Sequence, residues 1–244
     1  MIKVIVNGAK GKMGQETVKA VKNDPELELV GEADIGDDLG TLIKKTKAAV
    51  VIDFTQPTSR LENVKIILEG GANAVIGTTG YTPEDLKVVE ALCQKSGKAA
   101  LIAPNFTIGA VLMMQFAAQA AKYMPHVEII EFHHDNKKDA PSGTAIKTAQ
   151  LINEAVGATK APQVESEEML KERSQGAKEG NIRIHAVRLP GYVASQEIIF
   201  GGPGQTLKIR HDSINRECYM PGVIMACKKV INYKKLIYGL ENIL

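Results

Sequence analysis

The 244-residue sequence predicts an α/β protein in two parts, a parallel-sheet domain followed by an α+β domain with a mixed or antiparallel sheet. Three observations predict it. Short β-branched runs alternate with amphipathic helical patterns up to residue 105, the order expected of a parallel sheet with right-handed crossovers. A glycine loop follows the first run directly. Beyond residue 105 the pattern changes to a long apolar helix and then to alternating runs separated by Gly/Pro turns.

Residues 2–6, IKVIV, read as a buried strand, and a helical pattern runs from about Gln15 to Lys22. LELVGEAD alternates as a second strand. AAVVIDFT, the third, is apolar enough to be covered on both faces. SRLENVKIILEGG is an amphipathic helix closed by glycines. NAVIGTTG is a fourth strand. TPEDLKVVEALCQKSG is a helix with Thr82 as cap and Pro83 at its first position, and AALIAPN is a fifth strand. In the second part, IGAVLMMQFAAQAAKYM is a helix, VEIIEFHH an alternating strand and SGTAIKTAQLINEAVG a helix. Residues 158–181 are charged and weakly patterned, which reads as a solvated loop. IRIHAVRLP, ASQEIIFGGPG and QTLKIRHDS read as antiparallel strands, and YMPGVIMACKKVI is helical after Pro221. The expected division is residues 1–105, joined by a returning C-terminal helix at about 216–244, and residues 106–215.

Composition narrows the function classes. A net charge of +2 argues for neither nucleic acid nor a membrane surface as partner, and the absence of Trp with only 5% aromatics leaves no stacking platform for bases. No apolar stretch approaches the length of a membrane span, and the N-terminus lacks the pattern of a secretory signal. Cys93, Cys218 and Cys227 are scattered, with no CxxC spacing. Neither a metal site nor a disulfide framework is expected, and reduced thiols fit a cytoplasmic protein.

VIVNGAKGKMG places Gly8, Gly11 and Gly14 between a strand and a helix. A tight turn, a close backbone approach to a pyrophosphate and close helix–strand packing each exclude a Cβ, and the helix start offers N–H groups to phosphates. Ala9 stands where the first glycine of G-x-G-x-x-G would be. Asp34, twenty residues beyond Gly14 at the end of the second strand, suits a ribose diol. The first domain is therefore read as a Rossmann-like, dinucleotide-binding domain. Asp34 repels a 2′-phosphate, and Ile35 follows it where an arginine would help one. Lys10 and Lys12 are within reach of that phosphate. The expected cofactor is NADH or NADPH, with the acid favouring NADH. DFT, GTTG and APNF end later strands, where ligands of parallel sheets gather.

EFHHDNKKDAPSGTA, residues 131–145, sets His133 and His134 at a strand end, Lys137 after a short bend, and Ser142, Gly143 and Thr144 at a helix start. Imidazole and ammonium supply protons and positive charge, and the helix start supplies N–H groups for an anion. Together they describe a pocket for a small dicarboxylate with an acid beside it. HHDNKKDAPSGTA resembles the signature H-H-x-x-K-x-D-A-P-S-G-T-A of the 4-hydroxy-tetrahydrodipicolinate reductase (dihydrodipicolinate reductase) family and fills every fixed position. The likeness extends to GAKGKMG, DFT, GTTG, APNF and HDSINRECYMPGV, essentially the whole chain.

The resemblance implies an NAD(P)H-dependent oxidoreductase of lysine and diaminopimelate biosynthesis. It implies that His133 handles the catalytic proton, that Lys137 donates one, and that His134, Gly143 and Thr144 bind substrate carboxylates. For the cofactor it implies Gly8, Ala9, Lys10, Gly11, Lys12 and Met13, then Asp34, then Gly77, Thr78 and Thr79, then Ala103, Pro104, Asn105 and Phe106. It also implies a homotetramer and a substrate-binding and oligomerisation role for the second domain. Asp135 is expected to add negative charge near the dianion site. The alternatives are another NAD(P)-dependent dehydrogenase of a small dicarboxylate, and a dinucleotide-sensing regulator.

Overall fold

A computed structural model describes residues 1–157 and 176–244. The chain forms two compact units, Met1–Ile108 with Arg216–Leu244, and Gly109–Asn215.

The first unit holds a six-stranded parallel sheet built from β1 (Ile2–Asn7), β2 (Leu27–Ala33), β3 (Val50–Asp53), β4 (Asn73–Ile76), β5 (Ala100–Ile102) and β11 (Leu236–Tyr238). The order is β11-β5-β4-β3-β1-β2. The chain leaves β1 for β2 on one side and then crosses to β3 on the other, so β1 and β3 flank a switch point. Val4, Ile5 and Val6, Val50 to Ile52 and Ala74 to Ile76 are all buried, as strands covered on both faces must be. One cover is α2 (Leu39–Thr46), α3 (Arg60–Glu69) and α4 (Pro83–Ser96), whose Ile43, Val64, Ile67, Val89 and Cys93 share a core with Ile5, Val51 and Ile76. The other includes α1 (Lys12–Asn23) and α7 (Met220–Val230), which pack on each other. Lys228 of α7 reaches Asp24 at 2.9 Å and Glu26 at 2.5 Å, beyond the end of α1.

Two elements of this unit escape the sequence reading, α2 and β11. Helix α2 has only eight residues and ends on Lys47 in the left-handed region (φ 55°), without the glycine that normally marks a stop. Its cap is Asp38, which accepts the Thr41 N–H at 2.9 Å and the Thr41 hydroxyl at 2.6 Å. Strand β11 is three residues long, too short for a periodicity. Helix α1 starts at Lys12, earlier than Gln15, because its cap is Gly11 and no side chain marks the entry.

The second unit contains α5 (Ile108–Ala121, from its second residue), β6 (His126–His133), α6 (Gly143–Val156), β7 (Ala177–Glu179), β8 (Ile182–Arg188), β9 (Ala194–Gly202) and β10 (Gln205–Ser213). The sheet order is β10-β9-β6-β8-β7, with β6 and β8 parallel and the other pairs antiparallel. One expectation is corrected and one is refined. Strands β8, β9 and β10 alternate in direction as antiparallel strands do, and β9 and β10 form a hairpin, but β6 lies between β8 and β9. His133 is level with Arg188 on one side and Ala194 on the other, so the β8–β9 link passes the end of β6. Residues 177–179, read as loop, are a strand. Gly180 (φ 59°) supplies the left-handed turn that folds β7 back on β8. Residues 158–175 of that expected loop lie outside the described residues.

Candidate active site

The carboxyl end of the first unit's sheet is built around the glycine loop. Gly8 N–H and Ala9 N–H both donate to the Ala33 carbonyl, at 2.9 and 3.1 Å, and so fasten the loop to the end of β2. A Cβ on Gly8 would lie 2.4 Å from the Phe54 carbonyl oxygen, and one on Gly14 would lie 2.0 Å from the Gly8 carbonyl oxygen. Both glycines are thus required by backbone packing. Gly11 caps α1 without a side-chain hydrogen bond, which leaves the amides of Lys12 and Met13 at a positive dipole end for phosphate oxygens. Lys10 and Lys12 are exposed beside them.

Asp34 sits at the other side of this loop. Its carboxylate accepts the Ile35 N–H at 2.9 Å and the Lys10 N–H at 2.8 Å, which hold the carboxyl below the usual carboxylate range. An ionised acid that keeps lone pairs free suits a ribose diol, so the cradle fits a dinucleotide. Asp34→Ala is expected to lower kcat/KM for NADH by about 10- to 100-fold, the worth of a hydrogen bond to a charged group, and to lower NADPH use less. Steady-state comparison of the two cofactors checks this; an equal loss for both contradicts it.

Behind the loops lies Asp53, 1% exposed, at the end of β3. Its carboxylate accepts from Asn7 Nδ2 at 2.7 Å, Thr78 Oγ1 at 2.7 Å, Thr55 Oγ1 at 2.8 Å and Asn63 Nδ2 at 2.9 Å. One buried acid therefore ties the ends of β1, β3 and β4 together. A Cβ on Gly77 would lie 2.0 Å from the Phe54 ring, and Phe54 meets Phe106 edge to face at 5.9 Å. Ala103 N–H donates to the Ile76 carbonyl at 3.1 Å, and Asn105 accepts the Thr107 N–H at 2.8 Å. Thr79 and Pro104 lie in the same two loops. Asn7 and Asn63 were missed by sequence reasoning, because one ends a strand and the other sits within an amphipathic helix.

In the second unit the predicted residues gather around an unpredicted pair. Glu131, fully buried, receives the Ser142 N–H at 3.0 Å and Arg188 Nη2 at 2.8 Å on one oxygen. Its other oxygen receives Arg188 Nη1 at 3.1 Å and meets His133 Nδ1. Arg188 Nη2 also donates to the Asp139 carbonyl at 2.7 Å. His133, the start of α6 and the loop between them are thereby joined through one ion pair. Ser142 Oγ caps α6 by accepting the Ala145 N–H, leaving the amides of Gly143 and Thr144 to a ligand. A Cβ on Gly143 would meet nothing within 4 Å, so that position opens to space. His134 is exposed just past β6, and its carbonyl accepts the Lys137 N–H at 3.2 Å. Lys137 Nζ contacts both Asp139 oxygens, at 2.7 and 2.8 Å. The acid that meets Lys137 is therefore Asp139, while Asp135 accepts from Asn136.

The signal for Glu131 was present. On the alternating strand it shares the buried face with Val127 and Ile129, an acid where an apolar residue belongs. Burial by itself would raise its carboxyl, but the hydrogen bonds from His133 and Arg188 outweigh burial and hold it below the usual range. A carboxyl depressed in the folded state contributes stability that is whole above its unfolded value of 4.5 and is lost as pH falls through the folded value. Wild-type Tm is expected to fall more between pH 5 and pH 3 than that of a Glu131→Gln/Arg188→Met double variant. Equal acid sensitivity in parallel melts (roughly that pH interval) contradicts the assignment.

Matches to known families decide what these two sites belong to. Residues 2–106 match the model for the N-terminus of dihydrodipicolinate reductase, and residues 109–244 match that for its C-terminus. The chain belongs to the dihydrodipicolinate reductase family. Among relatives of this reductase, 4-hydroxy-tetrahydrodipicolinate reductase of Coxiella burnetii is 49% identical over 243 residues, covering 100% of this chain and 99% of that one. The Streptococcus gordonii protein of the same name is 50% identical over 254 residues, with the same coverage. The dipicolinate-bound dihydrodipicolinate reductase from Paenisporosarcina sp. superposes with a TM-score of 0.91 at 43% identity, covering 100% of both chains. An amine dehydrogenase from Mycobacterium smegmatis, at 12% identity and a TM-score of 0.67, shares the fold alone with this reductase.

Proposed function

We infer that this reductase converts 4-hydroxy-tetrahydrodipicolinate to tetrahydrodipicolinate with NADH or NADPH, the 4-hydroxyl leaving as water and a hydride and a proton being added to the ring, a step of lysine and diaminopimelate biosynthesis. The observation that carries the reading is near-half identity to 4-hydroxy-tetrahydrodipicolinate reductases along the full length of both chains. The ligand of the Paenisporosarcina enzyme, dipicolinate, is a planar ring dicarboxylate, which supports the same ligand class here.

The first unit is the dinucleotide-binding domain and the second the substrate-binding domain. Gly8 to Met13 hold the pyrophosphate, Asp34 the adenosine ribose, and Gly77 to Thr79 with Ala103 to Phe106 the nicotinamide side. The bound cofactor supplies a hydride to the ring. The amides of Gly143 and Thr144 and the His134 imidazole hold the substrate carboxylates, whose negative charge the start of α6 favours. Lys137, half-buried, meets an exposed Asp139, a pair that is cheap to exchange. A substrate carboxylate replaces Asp139 there and draws the ammonium to the ring. Lys137 and His133 supply the proton that completes the reduction and offset the charge that develops as hydride arrives.

Neither Cys93 nor Cys227 serves this chemistry: burial pushes Cys93 up to about 11 and Cys227 up to about 12. Among the described residues no helix is long and apolar enough to cross a membrane, in keeping with a cytoplasmic enzyme. Strand β10 is a sheet edge with exposed residues from Gln205 to Lys208, a surface that suits assembly into the homotetramer. The test is oxidation of NADH with the condensation product of pyruvate and aspartate semialdehyde. The reading expects oxidation only when that product is present, with dipicolinate competing against it. Equal rates with simple 2-keto acids overturn it.

A further inference from the structure

We propose that Glu131 is a positioning residue of the reduction site, holding His133 with its proton on Nδ1 so that Nε2 alone exchanges a proton with the ligand. The proposal rests on the reading of His133 given above and deepens it.

A carboxylate only accepts hydrogen bonds, so the ring nitrogen that meets Glu131 Oε2 must carry hydrogen. That leaves Nε2 as the nitrogen whose protonation changes during turnover, the logic by which an acid orients a catalytic imidazole. The acid itself is held in place. Arg188 grips both of its oxygens and the Ser142 N–H grips one, so the carboxylate cannot rotate without breaking a buried charge pair. The same grip fixes the first turn of α6, whose Gly143 and Thr144 amides are placed at the substrate carboxylates. One side chain therefore sets the imidazole and the anion-binding helix start relative to each other. The alternative is an ion pair that merely stabilises the sheet. Buried pairs are weak evidence for stability, while losing one partner leaves the other charge stranded.

Two measurements separate these. In wild-type protein labelled with 15N-histidine, long-range proton–nitrogen correlation is expected to show neutral His133 with hydrogen on Nδ1; a neutral form with hydrogen on Nε2 overturns the proposal whatever any variant does. In a double-mutant cycle, Glu131→Gln is expected to lower kcat about 10- to 10³-fold with NADH affinity unchanged, and to lower kcat no further in a His133→Ala background, where only the rise in substrate KM from the loosened start of α6 remains. A full, additive loss in that background marks a structural role and overturns the proposal. Should Glu131→Gln not fold, the pair is removed together as Glu131→Gln/Arg188→Met and the cycle is read the same way. Wild-type turnover in His133→Ala removes the reading of the site. Wild-type turnover in Glu131→Gln, with His133→Ala crippled, removes only the role of Glu131.

Discussion

Lys137→Ala lowers turnover by roughly 10²–10⁴-fold, the usual worth of a positioned general acid, while NADH binds as in wild type. The split follows from where the groups lie. Lys137 belongs to the second unit, whereas the glycine loop and Asp34 belong to the first. Its side chain is one-fifth exposed and its ammonium lies against Asp139, whose carboxyl it holds below the usual range. On the proposed role, removing it deletes a proton donor and also leaves an uncompensated Asp139 carboxylate beside the substrate dianion, so KM for the substrate is expected to rise as kcat falls. Lys137→Arg separates the two effects. Guanidinium keeps the positive charge but does not give up its proton, so this variant restores KM and not kcat. His133→Ala gives a loss of kcat of the same order. Near wild-type kcat in Lys137→Ala or His133→Ala contradicts the assignment.

Gly14→Ala is expected to abolish dinucleotide binding and to lower Tm by several degrees. The new Cβ would lie 2.0 Å from the Gly8 carbonyl oxygen and 2.7 Å from Ala9 Cα, both backbone atoms that cannot swing aside. Helix α1 must then move away from β1, at a cost of about 1–3 kcal/mol, and its amides leave the phosphate position. In a chain of this size that cost corresponds to a Tm shift of roughly 2–12 °C. Gly201→Ala is the control, since its Cβ would meet nothing within 4 Å. Calorimetry and NADH fluorescence read both effects. Retained NADH affinity in Gly14→Ala contradicts the role of the loop.

Most of the first unit was legible because its strands are buried on both faces. Continuous β-branched runs such as VVID carry that pattern without help from distant residues. The glycine loop was legible for the same reason: strand, turn and helix start are all within fifteen residues. What escaped depends on partners far along the chain. Alternation puts Glu131 on the buried face of β6, but the cation that neutralises it, Arg188, lies 57 residues later. Asp53 draws its partners from separations of 46 and 25 residues. Alternation likewise makes residues 182–188 a strand without saying that β6, not β9, is its neighbour. Helix α2 was lost because it is only eight residues long and no glycine follows Thr46. The chemistry of residues 131–145 was visible as a list of groups, and the structure adds how they are held.

The most direct test is a single turnover with NADH carrying deuterium at the transferable position of the nicotinamide, in ordinary water, with 4-hydroxy-tetrahydrodipicolinate as acceptor. The account predicts tetrahydrodipicolinate bearing that deuterium on a ring carbon, formed by wild type and not at a comparable rate by Lys137→Ala. Deuterium absent from the product, or no consumption of the acceptor, contradicts it.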